Sequence, residues 1–209
     1  MDTNWAEENL QTIRTLMERS AIYRRALAPI MLFAGIMGLL TMGLGLFFHM
    51  DSTREFFGLW LGAAILAVAG ALFLARRQAL KDREAFWSPP TRRVTQALLP
   101  PLLVGLCLTM LLVSINTDED LQLDLVFALI WILFYGLALH AAGFFMPRGI
   151  KIFGWLFIAS ACGLYCAFMA EWVHNTDFSS HWLMGFFFGV LHLAYGVYLY
   201  LTENRKKAA

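Results

Sequence analysis

Residues 125–146 read LVFALIWILFYGLALHAAGFFM, a run of twenty-two positions without an Asp, Glu, Lys or Arg. The hydrocarbon core of a bilayer is about 30 Å thick, and a helix rising about 1.5 Å per residue needs roughly 20 apolar residues to cross it. A buried helix or strand of a soluble domain would show a shorter run broken by polar positions. This stretch therefore reads as a transmembrane helix. Working outward from it, the uncharged spans are 26–48, 56–75, 94–115, 125–146, 152–170 and 182–201. The predicted fold is an all-α integral membrane protein, a six-transmembrane-helix bundle of three antiparallel hairpins on short connections.

The composition of the 209 residues agrees: 59% are hydrophobic, 15% aromatic and only 15% charged, with a mean hydropathy of +0.62. Soluble domains carry roughly 45–50% apolar and about 25% charged residues. A soluble globular enzyme is excluded as the default, and so is a disordered chain, which would need few apolar residues. The net charge of +1 gives no reason to expect direct nucleic-acid binding. The partner this composition demands is the lipid bilayer.

Every Lys and Arg except Arg54 falls in the N-terminal arm, the second loop, the fourth loop or the tail. That asymmetry predicts both termini in the cytoplasm. The other face is acidic, with Asp51, Glu55, Asp118, Glu119, Asp120, Asp124, Glu171 and Asp177. The first span starts after 25 residues and is too long for a cleaved signal peptide. Residues 1–25 read as an amphipathic cytoplasmic helix: Asn4 and Glu7 have capping-box spacing, and Leu10, Ile13, Met17 and Ala21 share a face. Such an arm packs against the cytoplasmic ends of the bundle, docks a cytoplasmic protein partner, or lies flat on the lipid surface. Residues 203–209 form a basic tail.

Small residues mark close helix approaches: Gly58 and Gly62, then Ala63, Ala67 and Ala71, on the second span; Ala159, Gly163 and Ala167 on the fifth; Gly185 and Gly189 on the sixth. These faces serve folding within one chain or a homo-oligomer equally well. Pro89-Pro90 ends any local helix ahead of the third span, and Pro100-Pro101 predicts a kink within it.

No charged residue interrupts a span, which argues against a proton-coupled pump. Two intramembrane histidines remain. His140 lies between Gly136 and Gly143, and His192 between Gly189 and Gly196 with Tyr195 beside it. His140, His192 and Tyr195 are thus the candidate lining of a ligand pocket, with interhelical hydrogen bonding as the plainer reading. A bis-His haem is disfavoured, because the two sit at depths differing by roughly 9 Å. In the last outer loop Glu171, His174, Asp177 and His181 recur at spacings of three, three and four, with His49 at the end of the first span. Imidazole with carboxylate suits zinc, so these five are the candidate metal ligands. Asn175-Thr176-Asp177 within them is turn composition, and a polar loop explains it as well. The cluster Asp118, Glu119, Asp120 and Asp124 lacks the glycine and length of a calcium-binding loop. Cys107, Cys162 and Cys166 read as buried free thiols. No phosphate loop, nucleophile elbow or HExxH occurs, so no catalytic residue and no cofactor is expected.

Three stretches carry a resemblance: Leu10-Gln-Thr-Ile-Arg14 with Met17-Glu-Arg-Ser20, Ala141-Ala-Gly-Phe-Phe-Met-Pro-Arg148, and Leu191-His-Leu-Ala-Tyr-Gly196 running on to Thr202-Glu-Asn-Arg-Lys-Lys207. On these the chain resembles an uncharacterised family of small bacterial six-span membrane proteins, often encoded beside winged-helix transcription regulators. The resemblance implies a bacterial inner-membrane location and a shared stimulus or membrane partner, and it transfers no site residue. The expected function is a non-catalytic inner-membrane module for sensing, ligand binding or partner scaffolding. A transporter or channel for a neutral or lipophilic solute is the alternative, ahead of a metal- or haem-dependent enzyme.

Overall fold

The helix ends follow from local chemistry. Ser52 caps the second helix by accepting from the Glu55 amide at 3.3 Å, while its hydroxyl donates to the Glu55 carboxylate at 2.7 Å. At the end of the first helix the Met50 amide reaches back to the Gly45 carbonyl at 3.0 Å across His49, which takes φ 51°. The second helix ends the same way, with Glu84 bonded to Ala79 across Arg83 at φ 53°. Both are helix stops that usually recruit glycine at the left-handed position.

In this computed structural model, which describes residues 26–50, 52–115, 123–170 and 179–208, the helices are α1 (Ala26–Phe47), α2 (Thr53–Lys81), α3 (Pro89–Ile115), α4 (Asp124–Ala142) and α5 (Arg148–Met169). The last, α6, runs through Ser180–Met184, a π-helical segment Gly185–Val190, and Leu191–Ala208. All six are long and apolar enough to cross a membrane, and no strand occurs among the described residues. The chain is a multi-pass, all-α membrane protein.

The spans expected from sequence are all present, with shifted ends. Proline needs no amide partner in a first turn, so α3 starts at Pro89 rather than Val94. It then continues through Pro100 and Pro101 without a break. The fourth span stops at Ala142, four residues early, because Pro147 disfavours helix in the residue before it and Gly143 begins the turn. The N-terminal arm, the 118–120 acidic cluster and the 171–178 loop lie outside the described residues.

Helix α4 is the centre of the bundle. It packs most extensively on α5 and next on α3, and it buries Phe127, Ala128, Ile132, Ala138 and Ala142 completely or nearly so. Helix α1 lies along α6 through glycines of both. A Cβ on Gly38 would sit 2.7 Å from the Gly189 amide, and one on Gly189 would sit 2.7 Å from Leu39. The Gly185–Gly189 face is therefore spent on folding within the chain. On α2 and α5 the small faces differ, since Gly58, Gly62 and Gly163 have open space beside them. The three cysteines are also exposed on the outer surface of the bundle, not buried as expected. A thiol tolerates lipid as readily as protein interior.

Helices α4 and α5 also touch main chain to main chain. A Cβ on Gly154 would stand 2.6 Å from the His140 amide nitrogen and 2.9 Å from the Gly136 carbonyl, both rigid backbone. Gly154→Ala should therefore lose about 1–3 kcal/mol of stability to overpacking, despite the better helix propensity of alanine. Gly62→Ala, in open space, should be neutral or gain up to about 1 kcal/mol. Thermal unfolding of both variants in detergent checks the contrast.

Candidate functional site

The polar side chains of the interior come first, because lipid offers them no alternative partner. His192 is 1% exposed. Its Nδ1 lies 2.9 Å from the Phe187 carbonyl and its Nε2 2.7 Å from the Tyr135 hydroxyl. A carbonyl only accepts, so Nδ1 holds the ring proton, and in the neutral imidazole Nε2 accepts from Tyr135. The partner carbonyl is five residues back, inside the π-helical segment, where the backbone itself pairs Leu191 with Phe186 at the same five-residue spacing. Around this pair are Phe153, Phe157 and Phe188, each with its ring centre within 6 Å of the imidazole.

His181, also 1% exposed, forms a second lock with the opposite tautomer. The Trp60 indole can only donate, and it lies 3.1 Å from Nδ1; the proton therefore sits on Nε2, which donates to the Met50 carbonyl at 3.0 Å. Phe56 packs against the same ring at 4.8 Å. A Cβ on Gly45 would overlap the imidazole, so that glycine is the slot that admits it. One histidine thereby joins α1, the α1–α2 turn, α2 and α6.

These contacts sort the sequence candidates. His192 meets Tyr135 on α4, and Tyr195 stacks on Phe153 of α5 at 4.9 Å. His140 instead touches Phe144 and Trp155 at 5.5 and 5.2 Å. Phe153 and Trp155 are about 200° apart around a helix. The two imidazoles therefore engage opposite faces of α5 and are not brought together. His140 Nδ1 is buried with no hydrogen-bond partner among the described residues. Of the metal candidates, His181 spends both ring nitrogens as above, and His49 is an exposed helix-stop residue. Glu171, His174 and Asp177 lie outside the described residues. Among the described residues, no group of three or more His, Cys, Asp and Glu is gathered as metal binding would need.

Between the two locks the bundle leaves a partly open cleft of about 90 Å³ among α1, α2, α4 and α6. Its aromatic walls are Phe56, Phe57, Trp60, Phe127, Trp131 and Phe188, and small residues such as Ala34, Gly38, Ala63 and Ala67 leave the space. Every lining residue is Ala, Gly, Leu, Met, Phe or Trp. The cleft shares walls with both locks: Trp60 holds His181, and Phe188 stacks on His192. Sequence reading missed Tyr135, Trp60 and the cleft. A signal was present for the first two, since an O–H or N–H in an apolar span needs a partner and histidine is the scarce acceptor there.

Compared with protein-family models, curated proteins and solved structures, the chain finds no match.

The locks make a direct test. Tyr135→Phe and Trp60→Phe each leave an imidazole nitrogen unpaired, and each should cost about 0.5–2 kcal/mol. Adding His192→Leu to Tyr135→Phe should cost less than the two single losses together, because the second change removes an acceptor already orphaned. Reversible unfolding in mixed micelles gives the double-mutant cycle.

Proposed function

We propose that this chain is a non-catalytic protein of the bacterial inner membrane, with both termini cytoplasmic, that binds an apolar ligand in the cleft among α1, α2, α4 and α6. The observation that carries this reading is the cleft itself: a concave, aromatic-walled space with no ionisable side chain on it. Binding sites for small molecules are concave and mostly apolar. Catalysis, by contrast, needs a group able to move a proton or electron pair at the site. The two buried histidines beside the cleft have both ring nitrogens in hydrogen bonds, three of which reach other elements.

The one-sided distribution of Lys and Arg supports the orientation, and the resemblance of the three sequence stretches supports the bacterial setting. In this reading the amphipathic arm of residues 1–25 is the surface for a cytoplasmic protein partner, and ligand binding in the bundle is the event it reports. A transporter for the same class of solute would need the cleft to open toward both sides in turn.

Native mass spectrometry of the full chain, gently extracted in detergent, tests the reading. A stoichiometric apolar species is expected on the wild type and at least tenfold less on Ala63→Phe, which fills the cleft. Ala69→Phe, on α2 but outside the lining, should keep it. Bare wild-type protein, or equal retention by Ala63→Phe, overturns the proposal.

A further inference from the structure

Among the described residues one buried side-chain polar atom has no hydrogen-bond partner, His140 Nδ1. The other ring nitrogen, Nε2, has no partner there either, yet it is not buried. A buried donor without an acceptor is rarer than a buried acceptor without a donor. The ring proton therefore belongs on Nε2, and the imidazole presents an N–H at the surface of the α4–α5 pair.

Helix α4 sets the depth of that donor. Its 19 residues reach about 28 Å, barely the thickness of the hydrocarbon core, so both ends lie at the core boundaries. His140 is two residues before the last, Ala142, and hence about 3 Å inside the boundary, beside the ester and phosphate zone. Cations gather at the same level. Arg148, Lys151 and Trp155 recur at spacings of three and four, on one face of α5. The Trp155 ring centre is 5.2 Å from the imidazole, and that of Phe144 is 5.5 Å from it. The Lys151 ammonium lies 3.8 Å from the centre of the same Phe144 ring. Both aromatic residues are more than half exposed on the outer wall of the bundle. No Asp or Glu occurs between Asp124 and Glu171, and neither Arg148 nor Lys151 has an ion-pair partner among the described residues.

We propose that this surface binds an anionic glycerophospholipid, whose phosphate accepts from His140 Nε2 and is neutralised by Lys151 and Arg148. Hydrogen bonds from such donors to a phosphate are charge-assisted and correspondingly strong. Phe144 and Trp155 flank the glycerol and the upper part of the chains, where amphipathic rings are at home. A headgroup with its own ammonium fits less well, because that charge meets two cations already in place. The site shares no residue with the cleft and stands independently of it.

Native mass spectrometry of the full-length protein in detergent, titrated with phosphatidylglycerol or phosphatidylcholine, with and without inorganic phosphate, tests the assignment. On the wild type the first phosphatidylglycerol should bind at about a tenfold lower concentration than phosphatidylcholine, the scale expected of two basic residues at a membrane surface. Arg148→Gln with Lys151→Gln, which keeps both apolar stems, should erase that preference. His140→Phe keeps the ring and both cations, and should weaken binding of both lipids about tenfold, the worth of a hydrogen bond to a charged acceptor. Arg92→Gln with Arg93→Gln, an equal loss of charge on α3, should leave the preference intact. Equal binding of the two lipids to the wild type overturns the proposal. So does an equal loss in the Arg92 and Arg93 pair, which places the adducts on basic residues at large. Unchanged binding by His140→Phe overturns the imidazole donor. Displacement of phosphatidylglycerol by inorganic phosphate overturns the lipid in favour of the free anion.

Discussion

The interior of this bundle is organised by one constraint: a polar side chain inside a bilayer must find its partner within the protein. His181 shows what that does. Its ring enters the gap left by Gly45, accepts from Trp60 and donates to the Met50 carbonyl. The start of α6 cannot shift without unpairing two polar groups on two other elements. His192 applies the same rule one layer away, through Tyr135 and the Phe187 carbonyl. Because each ring uses one donor and one acceptor, both remain neutral and satisfied, which is the only inexpensive state for an imidazole in that medium.

Glycine supplies the complementary half. Apolar area drives nothing between helices already dissolved in lipid, so approach distance decides which helices pair. Where glycines face a backbone, as on α1 against α6 and on Gly136 and Gly154 between α4 and α5, the helices touch main chain to main chain. Where they face nothing, as at Gly58 and Gly62, α2 stays at the periphery and packs loosely. The cleft is a product of that looseness. It opens between α2 and its neighbours α1, α4 and α6, and the alanines of α2 do not fill it.

Length and hydropathy made the six spans legible, because a bilayer imposes a minimum run that few other structures need. Their ends were less so. Pro147 and Pro89 are visible in the sequence, but whether a proline opens a helix or closes one depends on which amides are already unpaired. The polar locks were half legible. The histidines stood out against apolar neighbours, whereas their partners Trp60 and Tyr135 passed as ordinary aromatic residues of a span. The sequence separation of 121 from Trp60 to His181 carries no periodic trace of their pairing. Small-residue spacing likewise marked faces able to pair without saying which would.

The cleft and the locks are physically continuous, and that continuity limits what the cleft can do. Phe188 stacks on His192 and Trp60 holds His181, so any occupant that displaces either ring strains a hydrogen bond that fixes α6. An occupant that fits between them leaves both bonds intact and adds contacts along four helices. Such a site favours slender chains over bulky solutes and rewards occupancy with rigidity rather than with movement. That suits the proposed binding role more than an alternating-access carrier, in which the bound state must rearrange. In the proposed reading, the small α2 side chains facing the cleft are what would keep room for a ligand, at the cost of some close packing there.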